Sequence, residues 1–114
     1  MPESETAYMA LARIHTLTMR RILKVLKYPQ HALHYSIYMD CEQERVHFRQ
    51  QVRDEQDHQL ELSHDDHLFD AILQLWEHFL YEEGFEFSEA HYHFYPDAAG
   101  EWQFSFQIEP RTAG

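Results

Sequence analysis

Apolar residues recur at three- and four-residue spacing from about Glu5 to Lys27, through Met9, Leu11, Ala12, His15, Met19, Ile22, Leu23 and Leu26. That period predicts a first helix. Ser4, flanked by Glu3 and Glu5, suits its N-terminal end, Lys24 and Lys27 its C-terminal end, and Tyr28-Pro29 stops it. The period then changes to two. Leu33, Tyr35, Ile37 and Met39 alternate with His34, Ser36 and Tyr38, which predicts a half-buried strand. After a polar turn at Asp40–Glu44, Val46, Phe48 and Val52 alternate with His47, Arg49 and Arg53 in a second strand. Leu60 and Leu62 around Glu61 suggest a short third.

Ser63, with Asp65 and Asp66 in the first turn, begins a second helix whose apolar stripe is Leu68, Phe69, Ile72, Leu73, Trp76, Phe79 and Leu80. Gly84 sits where a left-handed stop is wanted. A hairpin closes the chain about Pro96–Gly100. Pairing Phe94 with Trp102, Tyr92 with Phe104 and Ala90 with Phe106 places all six on one face. His93, His91 and Glu89 then oppose Gln103, Ser105 and Gln107 on the other. The expected fold is α+β, an antiparallel sheet of four to five strands with two helices packed on one face, in the order α-β-β-(β)-α-β-β. It occupies 1–110 as a single domain, with 111–114 a flexible tail. The opposite sheet face offers His34, Tyr38, His47, Arg49, Glu89, His91, His93, Tyr95, Glu101 and Gln103.

Composition narrows the function. The 114 residues are 44% hydrophobic and 15% aromatic, enough for a packed core and unlike a disordered segment. No apolar run suits a membrane helix, no secretory leader is visible, and Cys41 is the single cysteine, so a cytoplasmic setting is expected. Net charge is −11, and residues 54–110 carry fifteen acids with no Lys or Arg. Such a block repels phosphates, so direct nucleic-acid binding is not expected and a cationic partner suits it better. An acidic surface also serves solubility alone.

Ten histidines raise the question of metal. His91-x-His93 on a strand points both rings to one side, and Glu89, His34 or His47 could complete a shell, but no third ligand has a fixed spacing. His64-x-x-His67 shares its turn with the helix-capping acids. No cofactor is therefore expected. Titrating all ten near their free value would carry the charge towards about −1 near pH 5. Catalytic signals are lacking too. There is no Gly-rich phosphate loop or nucleophile elbow, and Cys41 stands among Asp40, Glu42 and Glu44, which suppress a thiolate. The reading is a non-enzyme that binds a protein. Tyr38, His47, Glu82, Glu83, Glu86, Glu89, His91, His93 and Tyr95 form the expected partner surface, aromatic anchors rimmed by charge.

The run Leu68-Phe69-Asp70-Ala71-Ile72-Leu73-Gln74-Leu75-Trp76-Glu77-His78-Phe79 and the strand Gly100-Glu101-Trp102-Gln103-Phe104-Ser105-Phe106, with the element order, resemble the YezG-like group of immunity proteins from bacterial polymorphic-toxin systems. That resemblance implies a protein that binds and neutralises a cognate toxin, often a basic nuclease. In element order and acidity the chain also resembles class I type III secretion chaperones, which dimerise and wrap an effector segment, so a homodimer stays open. A histidine-rich metal-binding protein is the third reading.

Overall fold

The structure, a computed structural model, describes residues 2–27, 29–42 and 45–111, with backbone alone for 2–7, 41 and 42. The chain is α+β: two helices and a five-stranded antiparallel sheet, in the order α1 (Pro2–Val25), β1 (Leu33–Glu42), β2 (Arg45–Asp54), β3 (Gln59–Leu60), α2 (Asp66–His78), β4 (Phe87–Pro96) and β5 (Trp102–Pro110). Contacts group it into two compact units. One holds 1–28 and 63–86, the other 29–62 and 87–114.

In the helical unit α1 starts at Pro2, so Ser4 lies inside the first turn instead of before it, and proline is at home there. Tyr28, placed at the helix stop, is outside the described residues; Lys27 already leaves the helix with φ of 60°. The buried stripe of α1 is Ile14, His15, Thr18, Met19, Ile22 and Leu23, while Met9 is 69% exposed. Thr18 belongs there because its hydroxyl donates to the Ile14 carbonyl at 2.8 Å. Asp65, not Ser63, caps α2: its Oδ1 accepts the Leu68 amide at 2.9 Å, and the helix begins at Asp66. The same carboxylate takes Arg21 Nε of α1 at 2.7 Å and a second guanidinium nitrogen, a bidentate pair joining the two helices.

The stripe of α2 is rotated from expectation. Leu68, Ala71, Ile72, Leu75 and His78 are buried, and Phe69 is 39% exposed. Both stripes satisfy helical spacing in so apolar a run. Spacing alone does not choose between them; the rotation is set by tertiary contacts such as the Arg21–Asp65 pair that ties α1 to the start of α2. The helix then widens into a π-helical turn, Phe79–Glu83, and Gly84 ends it with φ of 79°. The Gly84 and Phe85 amides both donate to the Phe79 carbonyl. The left-handed stop expected at Gly84 is thus present; the π turn before it has no local sequence signature.

In the sheet unit the strand order is β3-β2-β1-β4-β5. β1 is central, and Leu33, Tyr35, Ile37 and Met39 are all buried on one face with Val52, Ala90, Tyr92 and Phe94. The Tyr35 phenol is satisfied by donating to Gln50 Oε1 at 2.7 Å, and its burial pushes the pKa well up. Phe87 joins this face because a bulge between Phe87 and Glu89 shifts the register and reverses side-chain parity. β1 runs to Glu42, so the backbone of Asp40 and Cys41 is strand, not turn. Its last partners are Val46, opposite Cys41, and Arg45, opposite Glu42; 43–44 of the expected turn lie outside the described residues. Val46, near that end, is 38% exposed, and β3 stops at Leu60 without Leu62.

The β4–β5 hairpin keeps the expected faces but slips by two residues. Phe94 opposes Phe104, Tyr92 opposes Phe106 and Ala90 opposes Ile108. His93, His91 and Glu89 accordingly oppose Ser105, Gln107 and Glu109. The turn is the reason. Asp97 closes a loop centred one residue later, its amide donating to the Glu101 carbonyl at 2.8 Å and its Oδ1 accepting the Ala99 and Glu101 amides at 2.9 Å, so the strands pair up to Pro96 and Trp102. A slip by two preserves parity and is invisible to alternation. Arg111, placed in the tail, donates a guanidinium hydrogen to the Met39 carbonyl at 2.8 Å; 112–114 lie outside the described residues.

Candidate functional site

Strand parity gathers most of the expected site on the polar face of the sheet. Register sets His34 beside His93, Ser36 beside His91 and Tyr38 beside Glu89 between β1 and β4. On the other side of β1 it sets Tyr38 beside Arg49 and Asp40 beside His47. Residues of three strands, β2, β1 and β4, therefore meet around Tyr38 and His91.

These side chains fix one another. The His34 and His93 rings stack at 4.5 Å with 10° between their planes, and Tyr95 lies 5.2 Å beyond His93. Tyr38 meets His91 edge-on at 6.0 Å, and the Arg49 guanidinium covers the Tyr38 ring at 5.5 Å. His91 is held at both nitrogens. Its Nδ1 is 2.8 Å from the buried Ser36 hydroxyl and its Nε2 3.2 Å from Glu89 Oε1. Tyr38, His91, His93 and Tyr95 stay half-exposed, so the ladder presents ring edges and polar tips to its surroundings. A shallow depression lined by Tyr38, Arg49, Gln50, Gln51 and Gln59 lies beside it. Partial desolvation, then the facing His93 and Arg53, lowers the pKa of His34.

The site differs from expectation in three respects. Glu101 precedes β5 and belongs to the turn, so it leaves the strand face. Glu82, Glu83 and Glu86 belong to the helical unit, the first two exposed in the π turn, and so form no row of the sheet. The face also carries more positive charge than the chain average. Arg45, Arg49 and Arg53 all share its parity on β2, and alternation from Val46 through Val52 could have shown this.

Among the described residues no three His, Cys, Asp or Glu side chains gather to hold a metal ion. His64 Nε2 pairs with Asp66 Oδ1 at 2.9 Å at the start of α2. Among the described residues, no helix is long and apolar enough to cross a membrane. No family model, curated protein or solved structure matches the chain.

Proposed function

We propose that this chain is a non-enzymatic protein-binding inhibitor of the immunity type, which docks on a cognate toxin domain with a cationic surface and blocks it. The observation that carries the reading is the half-exposed ladder of Tyr38, His91, His93 and Tyr95, whose rings are already held by their neighbours. Rings fixed before binding lose little rotamer freedom on docking, which is what an anchor residue needs. The fifteen acids between 54 and 110 supply the long-range field that steers a positive partner towards the chain. Contact and steering thus fall to different residues, and this division gives the reading a test.

The experiment is capture from the source cell's lysate, identification of the bound protein, and binding kinetics with variants. A folded cationic domain at equal stoichiometry, with its activity abolished by the chain, is the expected result. Tyr38→Ala and Tyr95→Ala should each raise the dissociation rate about tenfold or more and leave association nearly unchanged. Reversal of Glu82, Glu83 and Glu86 to lysine should instead slow association severalfold at low salt and flatten its salt dependence. Normal binding by both tyrosine variants would move the contact off this face. Capture of a disordered segment by a dimer would replace inhibition with chaperoning.

A further inference from the structure

The sheet ends on β5, beyond which no strand lies among the described residues. A strand in that position leaves alternate amides and carbonyls outside the ladder, and proteins guard such edges with charge, proline, bulges or shortness. The opposite margin is guarded. β3 has two residues, and the neighbouring β2 carries Arg45, Arg49 and Arg53. β5 has nine residues, and from Trp102 to Ile108 it contains no charge, no proline and no glycine. Only its ends carry such devices, in Glu101, Glu109 and Pro110.

The same stretch is nearly a palindrome. Glu101-Trp102-Gln103-Phe104-Ser105-Phe106-Gln107-Ile108-Glu109 reads alike in both directions except that Trp102 exchanges with Ile108. Such symmetry has a structural meaning in one arrangement, two antiparallel copies of the strand related by a two-fold axis at Ser105. Phe104 then opposes Phe106 of the second copy, Gln103 opposes Gln107, Trp102 opposes Ile108, and Ser105 opposes itself. Trp102, Phe104, Phe106 and Ile108 are half-buried while Gln103, Ser105 and Gln107 are exposed, so each face of the sheet continues into its own kind.

We propose that two copies of this chain pair through β5 about that axis, joining two five-stranded sheets into one of ten strands. The partner that fits this edge is the chain itself, because a matched strand must alternate half-buried apolar with uncharged polar residues about the same centre. Closure follows, since each copy uses up its unguarded edge and the assembly stops at two. The polar face bearing Tyr38 takes no part, so the proposal stands independently of the inhibitor reading. One row is discordant. Glu101 faces Glu109 of the second copy, and Glu109 already faces Glu89 within its own chain. Salt should therefore tighten the dimer.

Sedimentation equilibrium of the full chain should give twice the chain mass, with a dissociation constant that falls as salt rises. Ser105→Lys sets two ammonium groups against each other on the axis and should weaken association more than tenfold, with circular dichroism unchanged. Should that variant unfold, Glu101→Lys, outside the strand, provides the second measurement. It turns the discordant row into two ion pairs and should tighten the dimer severalfold. Disulfide trapping in a Cys41→Ser background reads the register, because directly opposed strand residues lie within disulfide reach. Ser105→Cys copies should cross-link to one another. Gln103→Cys copies should link only when mixed with Gln107→Cys copies. A monomer at every concentration overturns the proposal. So does a dimer indifferent to Ser105→Lys or Glu101→Lys, or self-linking of Gln103→Cys.

Discussion

Replacing Asp65 with alanine is expected to destabilise the helical unit by about 2–3 kcal/mol, measured as the shift in urea midpoint of the helical signal. Two separate losses add. The Leu68 amide at the start of α2 loses its acceptor, which costs about 1 kcal/mol for a helix cap. Arg21, only 27% exposed, loses both bonds of its bidentate pair and is left as a partly buried cation without its counter-charge. Asp65→Asn keeps an acceptor for the cap and removes the charge, so about half the effect should remain. A double-mutant cycle with Arg21→Ala isolates the pair, and a coupling near zero would show that the cap alone matters. The pair also sets an acid limit. The Arg21 hydrogen bond, aided by the Leu68 amide, holds the Asp65 pKa at about 2. This folded-state value lies below the unfolded one, so the contribution is whole above about pH 4 and is lost as pH falls towards 2.

Stability should begin to fall at a much milder pH because of His15. Its burial in α1, and then the charge of His78, lowers its pKa from 6.5 to about 4. Below about pH 6.5 the unfolded chain takes up a proton that the folded chain refuses. The fold is therefore at full strength above that value and loses on the order of 2 kcal/mol as pH falls to about 4. His15→Met keeps an unbranched helix-compatible side chain and removes the titration. Urea midpoints across this range should decline for the native chain and much less for the variant. An equal decline in both would assign the loss to other groups. The prediction also corrects the uniform titration expected of ten histidines, because His15, and in lesser degree His34, resist the proton.

The alternation of the strands and the spacing of the helices were enough to order the elements, to assign Tyr38, His91, His93 and Tyr95 to one face, and to place the stop at Gly84. These are local properties. Parity and helical period depend on residues a few positions apart, and the left-handed stop at Gly84 is favoured by glycine's own lack of a side chain. Which of two apolar stripes α2 buries was not legible, because Phe69 and Leu73 compete with Ala71 and Leu75 at equivalent spacing and only contacts from elsewhere in the chain choose. Nor was the role of Asp65, whose partner Arg21 lies 44 positions away.

The slip of two in the closing hairpin has the same origin. Parity is blind to even shifts, and the hydrogen bonds of Asp97 set where the turn is centred. The sequence by itself determined which side chains of the regular strands share a face and where elements begin and end to within a few residues. The tertiary structure decided which residues stand opposite one another, since register and helix rotation are set by contacts between segments far apart in the chain.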